Sequence, residues 1–253
     1  MIRDSLYFMF DGRKSIDFKL GNININEGLY EEVFLTNRSI QETSVRRRIK
    51  PLFNEVKRDP KSFQVSFRFL EPWNDDLIEE ILEWLDVDYY KPLSFSEEKY
   101  FNKVYFAMPI ENISLVHNGL KQGYFTLTFR CNSPYAYSPL MQTSFDCTKG
   151  DTEIVLENMG RMSILPDVKI HKVGSGNIEI KNLSNAGNIL LLTSLQNEEE
   201  VEIIGENEIL ISSLGIPRYD NFNDEYIELP YGQNRLKITG SCYVTFRYRY
   251  TFR

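Results

Sequence analysis

Apolar and polar residues alternate with a period of two in many short runs of this 253-residue sequence. The last run has five aromatic or aliphatic residues on one face: Val244, Phe246, Tyr248, Tyr250 and Phe252. This period places alternate side chains on opposite faces of a strand, whereas a helix repeats every 3.6 residues. The chain is therefore expected to be mainly β, and its 17 Phe and 15 Tyr suit a pleated surface.

One segment instead has the helical period. Asn74 is placed to cap its N-terminus, and Asp75 and Asp76 lie in the first turn, where the helix dipole favours anions. The apolar stripe comprises Leu77, Ile78, Ile81, Leu82 and Leu85. The sequence thus predicts a single amphipathic helix in a β-rich fold.

A break at residues 132–134 (Asn-Ser-Pro) divides the chain into expected domains 1–133 and 134–253. In the first domain, strands are expected at 5–10, 16–20, 29–35, 63–69, 104–108 and 122–130. In the second, they are expected at 153–157, 167–173, 177–181, 188–194, 201–204, 208–212, 235–239 and 242–252. Many short strands at even spacing predict a β-sandwich for the second domain.

Residues 36–62 are polar and read as a long loop or an extended hairpin rather than a packed element. They contain the one basic cluster of the sequence, Arg46, Arg47 and Arg48. Such a cluster is either solvated or in contact with an acidic surface of a neighbouring chain, where arginine forms bidentate pairs. The second alternative makes these arginines candidates for a subunit interface.

Acidic residues gather on the outer side of the expected helix, notably Glu79, Glu80 and Glu83. A glycosidase needs two carboxylates facing each other across a cleft, which one face of one helix does not supply. The simplest interpretation is a solvated face. The alternative is an electrostatic role at an interface or lining a lumen.

Four aromatic residues cluster late in the second domain: Tyr219, Phe222, Tyr226 and Tyr231. On sandwich loops such rings can stack on sugars, so they form a candidate vestigial sugar-contact loop. The alternative is ordinary loop packing. Both tryptophans, the better stacking platforms, lie in the first domain at Trp73 and Trp84.

Motifs for catalysis, metal or cofactors are not expected in this sequence. Cys131, Cys147 and Cys242 are widely spaced and predict buried free thiols, and His117 and His171 lack neighbours at ligand spacing. We therefore expect no enzyme activity, no cofactor and no metal.

The net charge of −7 argues against wrapping by nucleic acid, since phosphate binding needs a basic surface. The N-terminal residues do not read as a signal peptide, and no transmembrane segment is expected.

The order of several short motifs resembles a known family. The motifs are Phe10-Asp11-Gly12 with Ser15 and Phe18, the segment from Phe129 to Ala136, Pro166 at a strand start, and the segment from Leu229 to Leu236. Together with the final aromatic strand, this order resembles the distal tail (Dit) protein family of phages with long non-contractile tails, most closely those that infect Gram-positive bacteria.

The resemblance implies an N-terminal domain that forms a homo-hexameric ring and a C-terminal sandwich similar to galectins and carbohydrate-binding modules. It implies partners as well: a tail tube protein above, and a tail fibre or baseplate hub protein below. DNA would pass through the ring without specific binding, and the protein would be made in the host cytoplasm and reside at the virion tail tip. The alternatives are a carbohydrate-binding module with a β-rich accessory domain and, less favoured, a hydrolase.

Overall fold

The computed structural model describes residues 5–24, 36–96, 103–111 and 113–253. The chain divides into two compact units, Met1–Ala136 and Tyr137–Arg253. The strand expected at 29–35 lies outside the described residues.

The strands of the N-terminal unit are β1 (Phe8–Phe10), β2 (Arg13–Lys14), β3 (Leu20–Ile23), β4 (Arg38–Thr43), β5 (Leu52–Arg58), β6 (Ser62–Phe69), β7 (Lys91–Phe95), β8 (Tyr105–Ile110), β9 (Val116–His117) and β10 (Gly123–Cys131). Eight of them form one antiparallel sheet in the order β2-β1-β7-β8-β10-β6-β3, with β9 paired to β10.

The strand expected at 16–20 is wrong. The turn at Asp11-Gly12 is present, but β2 is the returning strand and Ser15–Phe18 forms a 3-10 helix. Two contacts explain it: the buried Ser15 hydroxyl accepts a hydrogen bond from the Phe8 backbone at 3.2 Å, and the Phe18 ring stacks on Trp84 at 4.3 Å. Both contacts need a tight turn rather than an extended strand.

The predicted helix is confirmed as α1 (Asp75–Leu85), and the Asn74 side chain accepts a hydrogen bond from the Leu77 backbone at 3.0 Å. Its buried face differs in detail from the expected stripe, because Trp84 joins Ile81 and Leu85 in the core while Leu82 is exposed. The Trp84 indole donates a hydrogen bond to the Phe10 carbonyl at 2.9 Å, which satisfies its one polar atom inside an aromatic core.

Residues 36–62 include an extended hairpin, one of the two alternatives expected. Strands β4 and β5 pair with each other as a separate two-stranded sheet. We call residues 38–58 the arm.

The C-terminal unit is the expected β-sandwich. Its strands and those at its boundary are β11 (Ala136–Tyr137), β12 (Met141–Asp146), β13 (Thr152–Asn158), β14 (Asp167–Lys172), β15 (Gly176–Asn182), β16 (Ile189–Leu195), β17 (Glu200–Ile204), β18 (Ile209–Ser212), β19 (Gly232–Thr239), β20 (Cys242–Tyr248) and β21 (Thr251–Phe252). One sheet has the order β12-β20-β14-β17-β18, and the other has the order β13-β19-β15-β16. Inward side chains of both sheets, such as Ile170, Val244, Ile180 and Leu236, form one continuous core.

The strand expected at 242–252 is interrupted at Arg249 and Tyr250. The Tyr250 backbone donates a hydrogen bond to the buried hydroxyl of Ser138 at 2.9 Å, and Arg249 binds the Ser138 carbonyl at 2.9 Å. Strand β12 was not predicted, because most of its residues are exposed at the sheet edge and its sequence lacks a clean alternation.

Candidate assembly surfaces

The arm is a two-stranded ribbon that no other described segment of the chain covers. Every residue of β4 is exposed and most of β5 is exposed, and in the described part of the chain neither strand pairs with a third. An isolated two-stranded hairpin is at best marginally stable in water. The arm therefore has the properties of a surface that another polypeptide covers.

One face of the arm, which we call its apolar face, carries three apolar side chains beside the carboxylate of Glu42. The register places Ile40 opposite Val56, and after a bulge it places Phe53 opposite Glu42. Because positions 40 and 42 lie on the same side of β4, Ile40, Val56 and Phe53 share this face. Ile40 and Phe53 are each 63% exposed, an unusual state for large apolar side chains without a partner.

Arg46, Arg47 and Arg48 lie at the tip of the arm, where all three are exposed. The tip closes with a hydrogen bond from the Arg48 backbone to the Val45 carbonyl at 3.0 Å, and Arg47 has a left-handed φ of 71°. Among the described residues, no carboxylate forms an ion pair with this triplet. Its role at a subunit interface stays a prediction.

The acidic face of α1 is exposed as expected at Glu79, Glu80 and Glu83. Glu80 pairs with Arg13, whose guanidinium also lies 4.3 Å from the centre of the Phe18 ring. Glu79 and Glu83 form no ion pair with a described residue. Residues 75–86 hold six acidic and no basic side chains, and two of the six, Asp75 and Glu80, pair with Lys121 and Arg13, so the net charge of this face is negative.

An open groove of about 550 Å³ lies beside α1 in the N-terminal unit. Its apolar lining includes Phe69, Ile78, Leu82, Pro109, Ile113 and Phe125. Three carboxylates, those of Glu83, Asp86 and Glu111, also line it. Leu82 is 60% exposed here, so one of the apolar residues expected in the helix stripe lines an open surface instead.

The sequence offered a weak signal for this groove and none for the arm face. An 11-residue helix with five aliphatic residues and a tryptophan has more apolar surface than one buried stripe needs. Ile40, Val56 and Phe53 gave no usable signal, because their common face depends on the strand register and its bulge.

The aromatic cluster of the C-terminal unit separates into core and surface residues. Phe222 is buried, and its ring meets that of Tyr226 edge-on at 5.2 Å beside the sandwich core. Burial raises the pKa of the Tyr226 hydroxyl. Tyr219 and Tyr231 are exposed, and the Tyr219 hydroxyl accepts a hydrogen bond from the Leu210 backbone at 3.2 Å. A sugar-contact role stays a prediction, and only Tyr219 and Tyr231 have exposed rings for it.

Buried asparagines organise the loops around this cluster. Asn182 donates hydrogen bonds to the Glu228 carbonyl at 2.8 Å and to the Asn234 side chain at 3.1 Å. Asn234 in turn donates to the Pro230 and Gly232 carbonyls. Because buried amides that satisfy loop carbonyls stabilise one loop conformation, these residues have a structural role that the sequence analysis missed.

The cysteines are free and buried, as expected. Burial raises the pKa of Cys131 to about 12 and that of Cys242 to about 12. His171 lies 3.1 Å from Glu198 and 3.6 Å from Glu200, while His117 meets the Trp73 ring edge-on. The described residues contain no group of three His, Cys, Asp or Glu side chains placed to hold a metal ion.

Two family models match the two halves of the chain. The phage tail protein N-terminal domain matches residues 3–133, and the phage tail C-terminal domain matches residues 135–248. The chain belongs to this family of phage tail proteins. A curated relative of this tail protein is the SPbeta prophage-derived protein YomH of Bacillus subtilis (strain 168), with 36% identity over 254 residues and all of both chains covered.

Two solved structures share the fold of this tail protein over almost its whole length. The SPP1 Dit (gp 19.1) protein matches with a TM-score of 0.69 and 17% identity, covering 96% of this chain and 98% of that one. A chain of the phage P2 baseplate in its activated conformation with Ca matches with a TM-score of 0.52 and 9% identity, covering 95% and 97%. This phage tail protein thus has the fold of a Dit protein, and the resemblance seen in the sequence is confirmed. In the described part of the chain, every helix is too short or too polar to span a bilayer.

Proposed function

We propose that this protein is a structural adaptor at the distal end of a long non-contractile phage tail. It forms a hexameric ring that joins the tail tube protein above to a tail fibre or baseplate hub protein below, and the ring leaves a channel for DNA. The observation that carries this proposal is the likeness along nearly the whole chain to SPP1 Dit, a protein described as a paradigm of the hub adsorption apparatus in phages infecting Gram-positive bacteria.

The exposed surfaces of the N-terminal unit support a role in assembly. A ring is built from two different surfaces that repeat by rotation, so each subunit must present both. The uncovered arm and the acidic, partly apolar face of α1 are two such surfaces. The role is structural and not enzymatic.

The negative net charge of the chain supports a channel through which DNA passes. DNA passing through a ring must not adhere to it, and a protein with a net charge of −7 repels phosphate on average. Glu79 and Glu83 on the acidic face of α1 have two alternative roles, lining the channel or contacting a neighbouring subunit. One role excludes the other.

Electron microscopy of the purified full-length protein tests the proposal. We expect rings with a central hole, alone or after mixing with the tail tube protein of the same phage, and a native mass of six subunits. A protein that remains monomeric at every concentration, and that binds neither tail tube nor hub protein, would contradict the proposal.

The alternative function, a carbohydrate-binding module, has a separate test. A glycan array with the full chain, and with Tyr219→Ala and Tyr231→Ala variants, would support it if binding were seen and lost in either variant. We expect no binding, because Phe222 and Tyr226 lie against the core and do not extend a platform.

A further inference from the structure

The arm and the groove beside α1 complement each other, and no described residue of the same chain covers either. We propose that the apolar face of the arm of one copy occupies the groove of a neighbouring copy. The inference rests on the proposed ring, and it adds which two surfaces meet at the contact between subunits.

The arm brings apolar side chains that gain from burial. Ile40 and Phe53 are each 63% exposed, and they share a face with Val56. Aromatic anchors that fill a pocket contribute most to the affinity of protein interfaces. Phe53 is the large aromatic residue of this face and is the expected anchor.

The groove offers room and an apolar lining for such an anchor. Its volume of about 550 Å³ lies within the ~300–1,000 Å³ range of typical ligand pockets, so it can receive more than one side chain. Leu82 and Ile113 at the groove are exposed without a described partner over them. A second polypeptide that covers them removes apolar surface from water on both sides.

Opposite charge favours contact between the arm and the groove over contact of the arm with other apolar surfaces. Residues 38–58 hold seven basic and two acidic side chains, whereas residues 75–86 of the helix region hold six acidic and no basic ones. Opposite potentials across an interface steer encounter and fix its orientation. The groove lining includes three carboxylates, those of Glu83, Asp86 and Glu111, and the net positive charge of the arm favours contact with them.

A second copy is the occupant because, within the described residues, neither the arm nor the groove is covered by its own chain. The arm of the same chain is exposed on both strands while the groove stays open. Each copy therefore presents one arm and one groove, which gives a heterologous contact that closes into a ring when it repeats by rotation.

Assembly of serine variants of the full chain tests the contact. We expect Phe53→Ser and Leu82→Ser each to raise the concentration at half-assembly, measured by sedimentation velocity, at least tenfold. Val155→Ser is the matched control, since Val155 is 55% exposed on β13 of the other unit and should leave assembly unchanged. Circular dichroism shows that each variant remains folded.

Charge reversal tests the pairing in a way that simple loss of stability cannot mimic. Exchanging Arg46, Arg47 and Arg48 for Glu should weaken assembly, and adding Glu79→Lys and Glu83→Lys should restore at least part of it. A short bis-maleimide should also link Phe53→Cys chains to Leu82→Cys chains when the two are mixed, and should not link Phe53→Cys to Val155→Cys.

The outcomes separate this inference from the proposed function. If the wild-type chain forms rings and both serine variants form them equally well, the proposed contact between arm and groove is wrong and the proposed ring is unaffected. The contact is also wrong if only Phe53→Ser weakens assembly, or if a chain with both cysteines links within itself. If the wild-type chain forms no assembly at all, the proposed ring fails and the contact fails with it.

Discussion

At the scale of residues, the C-terminal unit contains a charged pair in its interior. Arg218 donates two hydrogen bonds to the buried carboxylate of Glu199, at 2.8 and 2.6 Å, and Ser212 donates a third at 2.7 Å. Burial acts to raise the pKa of Glu199, but these bonds and one from the Gln196 backbone outweigh it and hold the pKa below its ordinary value. The pair ties the loop after β18 to the start of β17.

Removing Arg218 should destabilise the fold strongly. Arg218→Ala leaves Glu199 buried without its counter-charge, and we expect a loss of about 3–5 kcal/mol in the free energy of unfolding, measured with urea. Arg235→Ala is the control, because its pair with Glu153 is exposed and such pairs contribute about 0–1 kcal/mol. Equal losses in the two variants would contradict this account.

The same pair predicts the direction of a pH effect. Because the folded pKa of Glu199 lies below its unfolded value of 4.5, its contribution to stability is full above that value and is lost as the pH falls through the folded pKa. Urea unfolding between pH 7 and pH 3 should show a smaller loss of stability in Arg218→Ala than in the wild type. A larger loss of stability in Arg218→Ala than in the wild type would contradict the predicted direction of the pH effect.

The buried thiols predict low reactivity and a loss of stability in base. With pKa values of about 12, Cys131 and Cys242 should resist a thiolate-selective reagent at pH 8 in the native protein and react fully in urea. Since the unfolded value is 9.0, the folded state holds the protons more tightly, and stability from these groups should fall between pH 9 and pH 12. Rapid native labelling of either thiol would show that it is accessible.

At the scale of elements, the arm and α1 differ in how their stability arises. Helix α1 has its cap at Asn74 and buries Ile81, Trp84 and Leu85 against the sheet. The arm buries almost nothing, so its two strands depend on turn geometry and on cross-strand pairs alone. An element of this kind is expected to gain order when it assembles.

The arginine triplet gives the prediction at this scale. If Arg46, Arg47 and Arg48 pair with carboxylates of a neighbouring copy, replacing all three with Ala should weaken assembly and leave the circular dichroism spectrum unchanged. The weakening should be greater at low salt, where charge pairs are less screened. Sedimentation at low and moderate ionic strength is the measurement. An unchanged assembly state at both would show that the triplet is solvated and does not lie at a subunit interface.

At the scale of the whole molecule, the chain consists of two units with separate interiors. The first is held by an aromatic cluster in which Phe8 lies 4.6 Å from Phe67 and 5.3 Å from Trp84. The second is held by aliphatic side chains between two sheets. Because each unit has its own set of buried side chains, we expect each to fold as an independent domain.

Truncation tests whether the first unit carries assembly. We expect a chain that ends at Ser133 to fold and to assemble as the full protein does, because both candidate surfaces, the arm and the groove, lie before that residue. Size-exclusion chromatography with light scattering is the measurement. A truncated chain that is folded but strictly monomeric, while the full chain assembles, would place the contact in the second unit.

The sequence by itself determined the parts of this protein that depend on local pattern. Period-two alternation located β6, β10 and most strands of the sandwich, and the cap at Asn74 with the 3.6 period located α1. These features could be predicted because a side chain's direction along a strand or helix follows from the backbone repeat alone. The order of motifs further identified the Dit resemblance, since order along a chain needs no coordinates.

Only the tertiary structure decided the features that depend on distant parts of the chain. Ser15 and Phe18 turn into a 3-10 helix because of contacts with Phe8 and Trp84, and β21 separates from β20 because Tyr250 bonds to Ser138. The two candidate assembly surfaces also depend on distant parts of the chain. Strand register brings Ile40 and Phe53 to one face of the arm, and the packing of α1 on the sheet leaves Leu82 beside an open groove. Burial is a property of neighbours in space, so local sequence periodicity cannot state which apolar side chains remain uncovered.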